Sequence, residues 1–383
     1  MRYRSLGHLQ WKPSALGFGA MRLPIIGGDR ANIDESRAIQ MMRYAFDHGV
    51  NYVDSAYPYH GGNSEIVVGK ALLNGYREKV KLATKMPVRI LEAKQDLDTI
   101  FTQQLTKLQT NRIDFYLFHG LNRDRWQKIK DLHALDWAKS KIAKGQIGYL
   151  GFSFHDDFSA FKTIIDEYSG WTFCQIHYNY IDTQYQAGER GLKYAASRGL
   201  GVVIMEPLQG GNLTVAPPSE IQTLWDQAPT KRSLAEWGLL WLWNQPEVSL
   251  VLSGMSTMTQ VKENLESANR SSVNCLTEDE LQRFTQIRVK HQQYGFIGCT
   301  GCQYCLPCPH NVAIPEILST FNQYFRNRGA AAQQERILKS YHNRIAHNQG
   351  PSNCVQCNTC LQKCPQELPI PQLLARSTRY LDL

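Results

Sequence analysis

Four polar side chains sit at or just beyond the ends of strand-like runs. Asp54, Lys85 and His119 each close an apolar stretch, and Tyr59 lies in the loop after Asp54. A tyrosine hydroxyl has an ordinary pKa of ~10, too high for a ready acid near neutrality. A neighbouring ammonium favours the phenolate and lowers that value, and a carboxylate can hold the ammonium in place. A histidine beside the phenol can orient a carbonyl and share its proton. Together these groups polarise a C=O and protonate the alkoxide left by hydride attack. Each residue alone has a plainer role: a helix cap, a solvated lysine, a packed ring. Three titratable groups closing three consecutive strands are much less ordinary.

The cysteines form a second set. There are ten, and eight lie between Cys299 and Cys364. The chain opens on Met1-Arg2-Tyr3-Arg4-Ser5 and then polar residues, so no export signal is expected and ligation is favoured over disulfides. Cys354, Cys357, Cys360 and Cys364-Pro365 follow the C-x₂-C-x₂-C-x₃-C-P spacing of bacterial ferredoxins, in which the fourth cysteine ligates the other cluster. Cys299, Cys302, Cys305 and Cys308-Pro309 form the partner motif, one residue shorter before its last cysteine. Paired zinc ribbons would need only two C-x₂-C pairs, without the third cysteine or the Cys-Pro. The pattern therefore suggests two [4Fe-4S] clusters. Cys299, Cys302, Cys305 and Cys364 would hold one, and Cys354, Cys357, Cys360 and Cys308 the other.

The elements that must position these groups alternate along the first 270 or so residues. Short apolar runs begin near Ser14, Asn51, Val80, Ile113, Ile147, Phe173, Gly201 and Val248, and each is followed by a segment of helical spacing. Strict βα alternation implies a parallel sheet with right-handed crossovers. Eight units match a (β/α)8 TIM barrel of about 250 residues better than an open doubly wound sheet. The Gly17-Phe18-Gly19 stretch also lacks the third glycine of a dinucleotide fingerprint. In a barrel the active site lies at the carboxyl ends of the strands, where Asp54, Lys85 and His119 fall. Residues 1–292 are expected to form this α/β barrel, and 293–383 a small, mainly helical iron–sulfur domain with helices at Ile314–Phe325 and Glu335–Ile345.

Composition narrows the class further. Of 383 residues, 43% are hydrophobic, which suits a globular chain with a sizeable core. The densest apolar run, Trp237 to Trp243, is far shorter than the ~18 residues needed to span a bilayer. The net charge of +8 comes without a lysine or arginine run, so neither nucleic acid nor membrane is an expected partner. A cytoplasmic location is the expectation.

Several motifs resemble the aldo-keto reductases. Gly49-Val50-Asn51-Tyr52-Val53-Asp54-Ser55-Ala56-Tyr57-Pro58-Tyr59, then Asn63-Ser64-Glu65 and Gly69-Lys70-Ala71-Leu72, are similar to that family's signature. Leu82-Ala83-Thr84-Lys85 and Asp114 through His119 match its lysine and histidine motifs. The resemblance implies a catalytic Asp54–Tyr59–Lys85–His119 tetrad and selects Tyr59 over Tyr57 as the general acid. It also implies a nicotinamide site. Ser153 and Gln175 would hold the carboxamide, and Met205 would stand where many members stack an aromatic ring. Pro207, Leu208 and Gly211 would belong to the loop covering the pyrophosphate, and Gly254, Ser256, Gln260, Glu263 and Asn264 to the adenosine end. Gln260 replaces the arginine that often binds a 2′-phosphate, which weakens the case for NADPH over NADH; Lys262 could compensate. The cysteine-rich tail, with helices between its motifs, looks like an α-helical ferredoxin.

The resulting expectation is an NAD(P)H-dependent oxidoreductase reducing a small aldehyde or ketone, with two [4Fe-4S] clusters for electron transfer. The alternative is an iron–sulfur electron carrier or redox sensor whose barrel only binds nucleotide. Residues 296–383 carry eight Lys and Arg against four Asp and Glu. Arg326, Arg328, Arg336, Lys339 and Arg344 could present a docking face to an acidic electron-carrier protein.

Overall fold

The structure, a computed structural model, describes residues 1–345 and 349–381. The chain divides into two compact units, Met1–Pro207 with Ala235–Leu276, and Leu208–Leu234 with Thr277–Leu383.

The first unit is built on eight parallel strands closed into a barrel. They are β1 (Leu16–Gly19), β2 (Tyr52–Asp54), β3 (Lys81–Met86), β4 (Ile113–Leu121), β5 (Ile147–Phe154), β6 (Phe173–His177), β7 (Gly201–Met205) and β8 (Val248–Gly254). β8 pairs back onto β1. Side chains alternate across a strand, so each strand sends every second residue inward. The barrel interior is filled by Tyr52, Ala83, Phe115, Leu117, Phe173, Val203, Leu250 and Leu252, with Leu6 among them. Continuing that alternation toward the carboxyl ends places Asp54, Lys85, His119, Gln175 and Met205 on the same inward face. Gly151 on β5 belongs to this packing, because a Cβ there would meet the Phe173 carbonyl oxygen at 2.6 Å.

Helices return the chain between strands, and their starts are written locally. Asp34 accepts from the Arg37 N–H to begin Glu35–Asp47, and Thr257 accepts from the Gln260 N–H to begin Met258–Arg270. The helix Arg123–Asp131 lies between β4 and the expected helix near Leu132; only Trp126 and Ile129 in it are buried, too few for an apolar rhythm to show in the sequence.

The second unit is helical. Glu278–Tyr294 opens on a capping box between Thr277 and Glu280 and stops at Gly295, whose φ of 60° is left-handed. Ile314–Arg326, Ala331–Arg344 and Ile370–Leu381 follow, and Ser219–Asp226 belongs to the same unit. Their core joins Ile297, Ile314, Ile317, Leu318, Phe321, Tyr341, Ile370, Leu374 and Leu381. Asn322 fixes the entering strand of chain, bonding both the N–H and the C=O of Ile297 at 2.8 Å. Among the described residues, no helix is long and apolar enough to cross a membrane.

Candidate active site and the cysteine cavities

β2 and β3 bring Asp54 and Lys85 together inside the barrel mouth. The Lys85 ammonium donates to Asp54 Oδ1 at 2.5 Å and to the Ser55 carbonyl at 2.7 Å. Burial lowers the Lys85 pKa, while Asp54 and then Glu65 oppose that shift. Burial likewise raises Asp54, against the pull of Lys85. Tyr59 comes from a tight turn, Tyr59–Gly62, that His60 pins by bonding the Arg30 carbonyl at 2.7 Å and accepting from the Leu23 N–H at 3.2 Å. The Lys85 ammonium is 5.0 Å from the Tyr59 ring centre. The His119 ring meets the Tyr59 ring edge to face at 6.1 Å. Tyr57, the other tyrosine of the loop, instead gives its hydroxyl to Gln103 at 3.0 Å. His119 lies well below its ordinary pKa, first through burial and then through the positive fields of Lys85, His155, Arg125 and Arg89. It is therefore a neutral ring.

Behind Lys85 runs a buried network that the sequence reading missed. Glu65 Oε1 accepts from Thr84 Oγ1 at 2.6 Å and from Gln104 Nε2 at 2.8 Å. Gln104 also donates to the Lys85 carbonyl at 3.0 Å and accepts from the Tyr116 hydroxyl at 2.6 Å. The missed signal was Glu65 itself, a carboxylate in the first turn of a mostly buried helix, Ser64–Leu72.

The residues assigned to the nicotinamide also lie on the inward face. Ser153 Oγ accepts from the Gly120 N–H at 2.7 Å. Gln175 Nε2 faces Met205 Sδ at 3.7 Å, while its Oε1 is buried without a hydrogen-bond partner among the described residues. An orphaned amide oxygen beside an apolar sulfur fits a carboxamide N–H₂ next to a flat ring. Near β8, the Ser256 N–H donates to Gln260 Oε1 at 2.8 Å, and Ser256 Oγ donates to the Arg22 carbonyl at 2.7 Å. Asn264 reaches back to Ser253 Oγ at 3.0 Å, while Glu263 is exposed. Lys262 lies over the Tyr44 ring, 5.7 Å from its centre. Gly254 leaves room for the stem of Arg22, a cation the sequence reading passed over. The thirteen-residue helix Met258–Arg270 points an N-terminus at this loop, where backbone N–H groups suit a phosphate.

Pro207 ends the first unit's first segment, whereas Leu208 and Gly211 belong to the second unit. There Asn212 Nδ2 donates to the Cys299 carbonyl at 2.8 Å, and Gly211 has a φ of 98° that only glycine adopts readily. Glu206 and Gln209 also have positive φ without being glycine. Such outliers are costly and cluster at functional loops.

The eight tail cysteines surround two cavities. One is lined by Cys299, Cys302, Cys305 and Cys364. The other is lined by Cys308, Cys354, Cys357 and Cys360, with Cys305 shared between the two. The thiols feel the same grouping. Burial pushes Cys305 up to about 12, helped by Cys302, Cys299 and Cys364. Burial also raises Cys360, whose charged neighbours are Cys354, Cys308 and Cys357. Among the described residues, no group of three or more His, Cys, Asp or Glu could hold a single metal ion. A cubane asks for a different arrangement, since each thiolate meets its own iron around a cavity. The residues present fit such a group.

Arg326, expected on a docking face, is turned inward. Its guanidinium donates to the Asn212 carbonyl at 3.3 Å and lies 5.5 Å from the Phe296 ring centre. Arg328, Arg336 and Lys339 are exposed, and the Arg344 side chain lies outside the described residues.

Residues 298–368 match the model of a 4Fe-4S dicluster domain. Among curated relatives, the uncharacterized oxidoreductase YqkF of Bacillus subtilis is 26% identical over 315 residues, covering 74% of this chain and 95% of its own. L-galactose dehydrogenase of Arabidopsis thaliana is 28% identical over 291 residues, covering 68% of this chain and 86% of its own. Among solved structures, the holo form of aldo-keto reductase AKR11C1 from Bacillus halodurans matches with a TM-score of 0.62 at 28% identity, over 75% of this chain and 96% of that one. A Klebsiella pneumoniae aldo/keto reductase in complex with NADP and acetate shares the fold, with a TM-score of 0.60 at 21% identity, over 75% of this chain and 95% of that one. The barrel that seats Asp54, Tyr59, Lys85 and His119 is matched over residues 15–288 by the Aldo/keto reductase family model, so the chain belongs to that family of oxidoreductases, with a 4Fe-4S dicluster domain following in sequence.

Proposed function

We propose that this protein reduces a small aldehyde or ketone with a nicotinamide cofactor, using Tyr59 as the general acid, and that its tail carries two [4Fe-4S] clusters. The observation that carries the catalytic reading is the buried Lys85 ammonium, bonded to Asp54 at 2.5 Å and 5.0 Å from the Tyr59 ring centre. When bound, the reduced nicotinamide supplies a hydride. Ser153 and Gln175 would hold its carboxamide, with Met205 against the ring. Tyr59 gives its proton to the carbonyl oxygen as negative charge develops there. Lys85 stabilises the phenolate left behind, and Asp54 keeps Lys85 in place. His119, neutral, hydrogen-bonds the same oxygen and orients it. No arginine occupies position 260, and Gln260 is engaged with Ser256, so both NADH and NADPH are expected to serve.

When bound, the clusters supply one-electron transfer. Two separate cysteine cavities support two clusters in the crossed arrangement, with Cys364 joining Cys299, Cys302 and Cys305, and Cys308 joining Cys354, Cys357 and Cys360. An acidic electron-carrier protein is the proposed partner of the exposed basic residues Arg328, Arg336 and Lys339. Two measurements test the reading. Anaerobically purified protein should contain about eight iron and eight sulfide per chain, as two cubanes require. Carbonyl reduction should fall by about a hundredfold or more in Tyr59→Phe, the usual scale of a lost general acid. Four iron atoms per chain, or a fully active Tyr59→Phe variant, would each refute its half of the proposal.

A further inference from the structure

The chain leaving β7 passes from the first unit to the second within three residues of Met205, and Asn212 is its anchor there. At the start of the loop, Asn179 Nδ2 donates to the Glu206 carbonyl at 3.2 Å, inside the first unit. Further on, the Asn212 side chain donates to the Cys299 carbonyl at 2.8 Å. Its own carbonyl accepts from the Arg326 guanidinium at 3.3 Å. Cys299 is one of the four cysteines around the first cavity. Arg326 ends the helix Ile314–Arg326, whose Ile314, Pro315 and Leu318 line that same cavity. Both bonds of Asn212 therefore lead to the walls of one cysteine cavity.

The loop holds itself poorly. Glu206, Gln209, Gly210 and Gly211 all have positive φ. Its internal bonds run from the Gly211 and Leu213 N–H groups to the Leu208 carbonyl, at 2.9 and 3.3 Å, and from Thr214 Oγ1 to the Gly211 carbonyl at 2.8 Å. Non-glycine backbone in such conformations persists only where its surroundings hold it. The facing segment is no firmer on its own. Residues 296–313 form neither helix nor strand, although four of the eight tail cysteines lie among them. Thiols tied to one cluster give such a segment a single conformation, and the free energy of that ordering comes from ligation. The Cys299 carbonyl can meet Asn212 only where Cys299 is held, so order in the cysteine segment passes to the loop through this one side chain.

Resting on the nicotinamide reading above, in which Leu208 and Gly211 belong to the loop over the pyrophosphate, we propose that Asn212 ties nucleotide binding to the occupancy of the Cys299, Cys302, Cys305 and Cys364 site. With a cluster on these four thiols, Asn212 holds the loop in its binding form. With the cluster lost, the loop loosens and the nucleotide binds more weakly. Asn212 is a positioning residue. Such coupling is reciprocal, so a bound nucleotide protects the cluster by the same factor.

The test uses the full, cluster-loaded chain. Asn212→Ala removes the side-chain donor and leaves the backbone carbonyl to Arg326, and iron analysis checks that the variant is loaded. Anaerobic calorimetry titrates NADP⁺ and NAD⁺ without substrate. Loaded Asn212→Ala should bind the better nucleotide about tenfold more weakly and raise its KM by a similar factor, while kcat at saturation changes far less. Cluster loss to an iron chelator is then followed by visible absorbance. Bound nucleotide should slow that loss about tenfold in wild type and not in Asn212→Ala. Thr214→Ala, which removes only the loop's bond to its own Gly211 carbonyl, should keep the protection. Hydrogen exchange supplies a readout that needs no nucleotide. The N–H groups of residues 208–214 should exchange faster in loaded Asn212→Ala, and in wild type stripped of its clusters, than in loaded wild type. Equal affinity in wild type and loaded Asn212→Ala, a bound nucleotide that leaves cluster loss unchanged, or exchange indifferent to stripping would each overturn the link. A chain that binds neither nucleotide would count against the nicotinamide reading, and the exchange comparison would still decide whether Asn212 ties the loop to the cysteine site.

Discussion

Lys85 and Asp54 meet at 2.5 Å with both side chains sealed from solvent. Neither charge is comfortable alone, since burial drives the lysine down and the aspartate up. Asp54 Oδ2 has no hydrogen-bond partner among the described residues, so the ammonium is its main compensation. Breaking a buried pair by removing one partner costs about 3–5 kcal/mol, whereas removing both is much milder. Lys85→Met should therefore lose about a hundredfold or more in kcat and also destabilise the barrel. Lys85→Met combined with Asp54→Asn should recover most of the stability and none of the activity. Urea denaturation beside steady-state kinetics reads both, and a double variant no more stable than the single one would contradict the pairing argument.

Thr84 lies on the opposite face of β3 from Lys85 and gives its hydroxyl to buried Glu65. Valine keeps the shape and removes that donor. Glu65 would retain Gln104 but lose its shorter bond, so Thr84→Val should cost about 1–3 kcal/mol in denaturant unfolding. Because Gln104 still holds the Lys85 carbonyl, kcat should fall far less than in Lys85→Met. A neutral effect on stability would mean that the network does not support the site.

Two half-buried histidines give the barrel a defined acid response. His155 is held at about 3, and His119 well below its ordinary value. Unfolding returns both rings to about 6.5. Below that pH the unfolded chain binds protons that the folded chain refuses. The stability they contribute is complete above about pH 6.5 and is lost as pH falls toward the folded values. The slope approaches about 1.4 kcal/mol per pH unit for each histidine once the unfolded ring is charged. Unfolding free energies between pH 4 and 6 should fall less steeply for His155→Asn than for wild type, and parallel curves would refute the assignment.

The eight strands were legible because each is a short apolar run between helical stretches, and the meeting of Asp54, Tyr59, Lys85 and His119 was legible because their polar groups interrupt or follow those runs. The Glu65–Thr84–Gln104 network was not, since a single carboxylate in a helix most often faces solvent. Arg326 was misplaced for a related reason. A charge suggests a surface, and nothing local reveals that Asn212, 114 residues away in sequence, accepts from it. The two cysteine sets were the clearest case, because spacing constrains a cluster's ligands more tightly than hydropathy constrains a helix.

Cofactor preference turns on position 260. Gln260 closes the loop by accepting from the Ser256 N–H, and Lys262 packs on Tyr44. Neither offers the bidentate fork that binds a 2′-phosphate. Gln260→Arg should raise the ratio of kcat/KM for NADPH over NADH by about tenfold or more. A ratio that stays put would locate phosphate recognition elsewhere, with Arg22 beside Gly254 the first residue to replace.

Arg326 and Arg328 are close in sequence yet should behave differently. Burial lowers the pKa of Arg326, which bonds the Asn212 carbonyl and covers Phe296. Arg326→Glu would bury a carboxylate against a carbonyl and should destabilise the second unit, seen as faster cluster loss on mild heating. Arg328, Arg336 and Lys339 are exposed, so their replacement by glutamate should leave the clusters intact. If they meet an acidic electron carrier, the rate of electron transfer from reduced ferredoxin or flavodoxin should fall steeply between 0.01 and 0.1 M salt, as the Debye length shrinks from ~30 to ~10 Å. The triple glutamate variant should lose both the rate and its salt dependence. A wild-type rate indifferent to salt would mean these charges only offset the negative charge of the clusters.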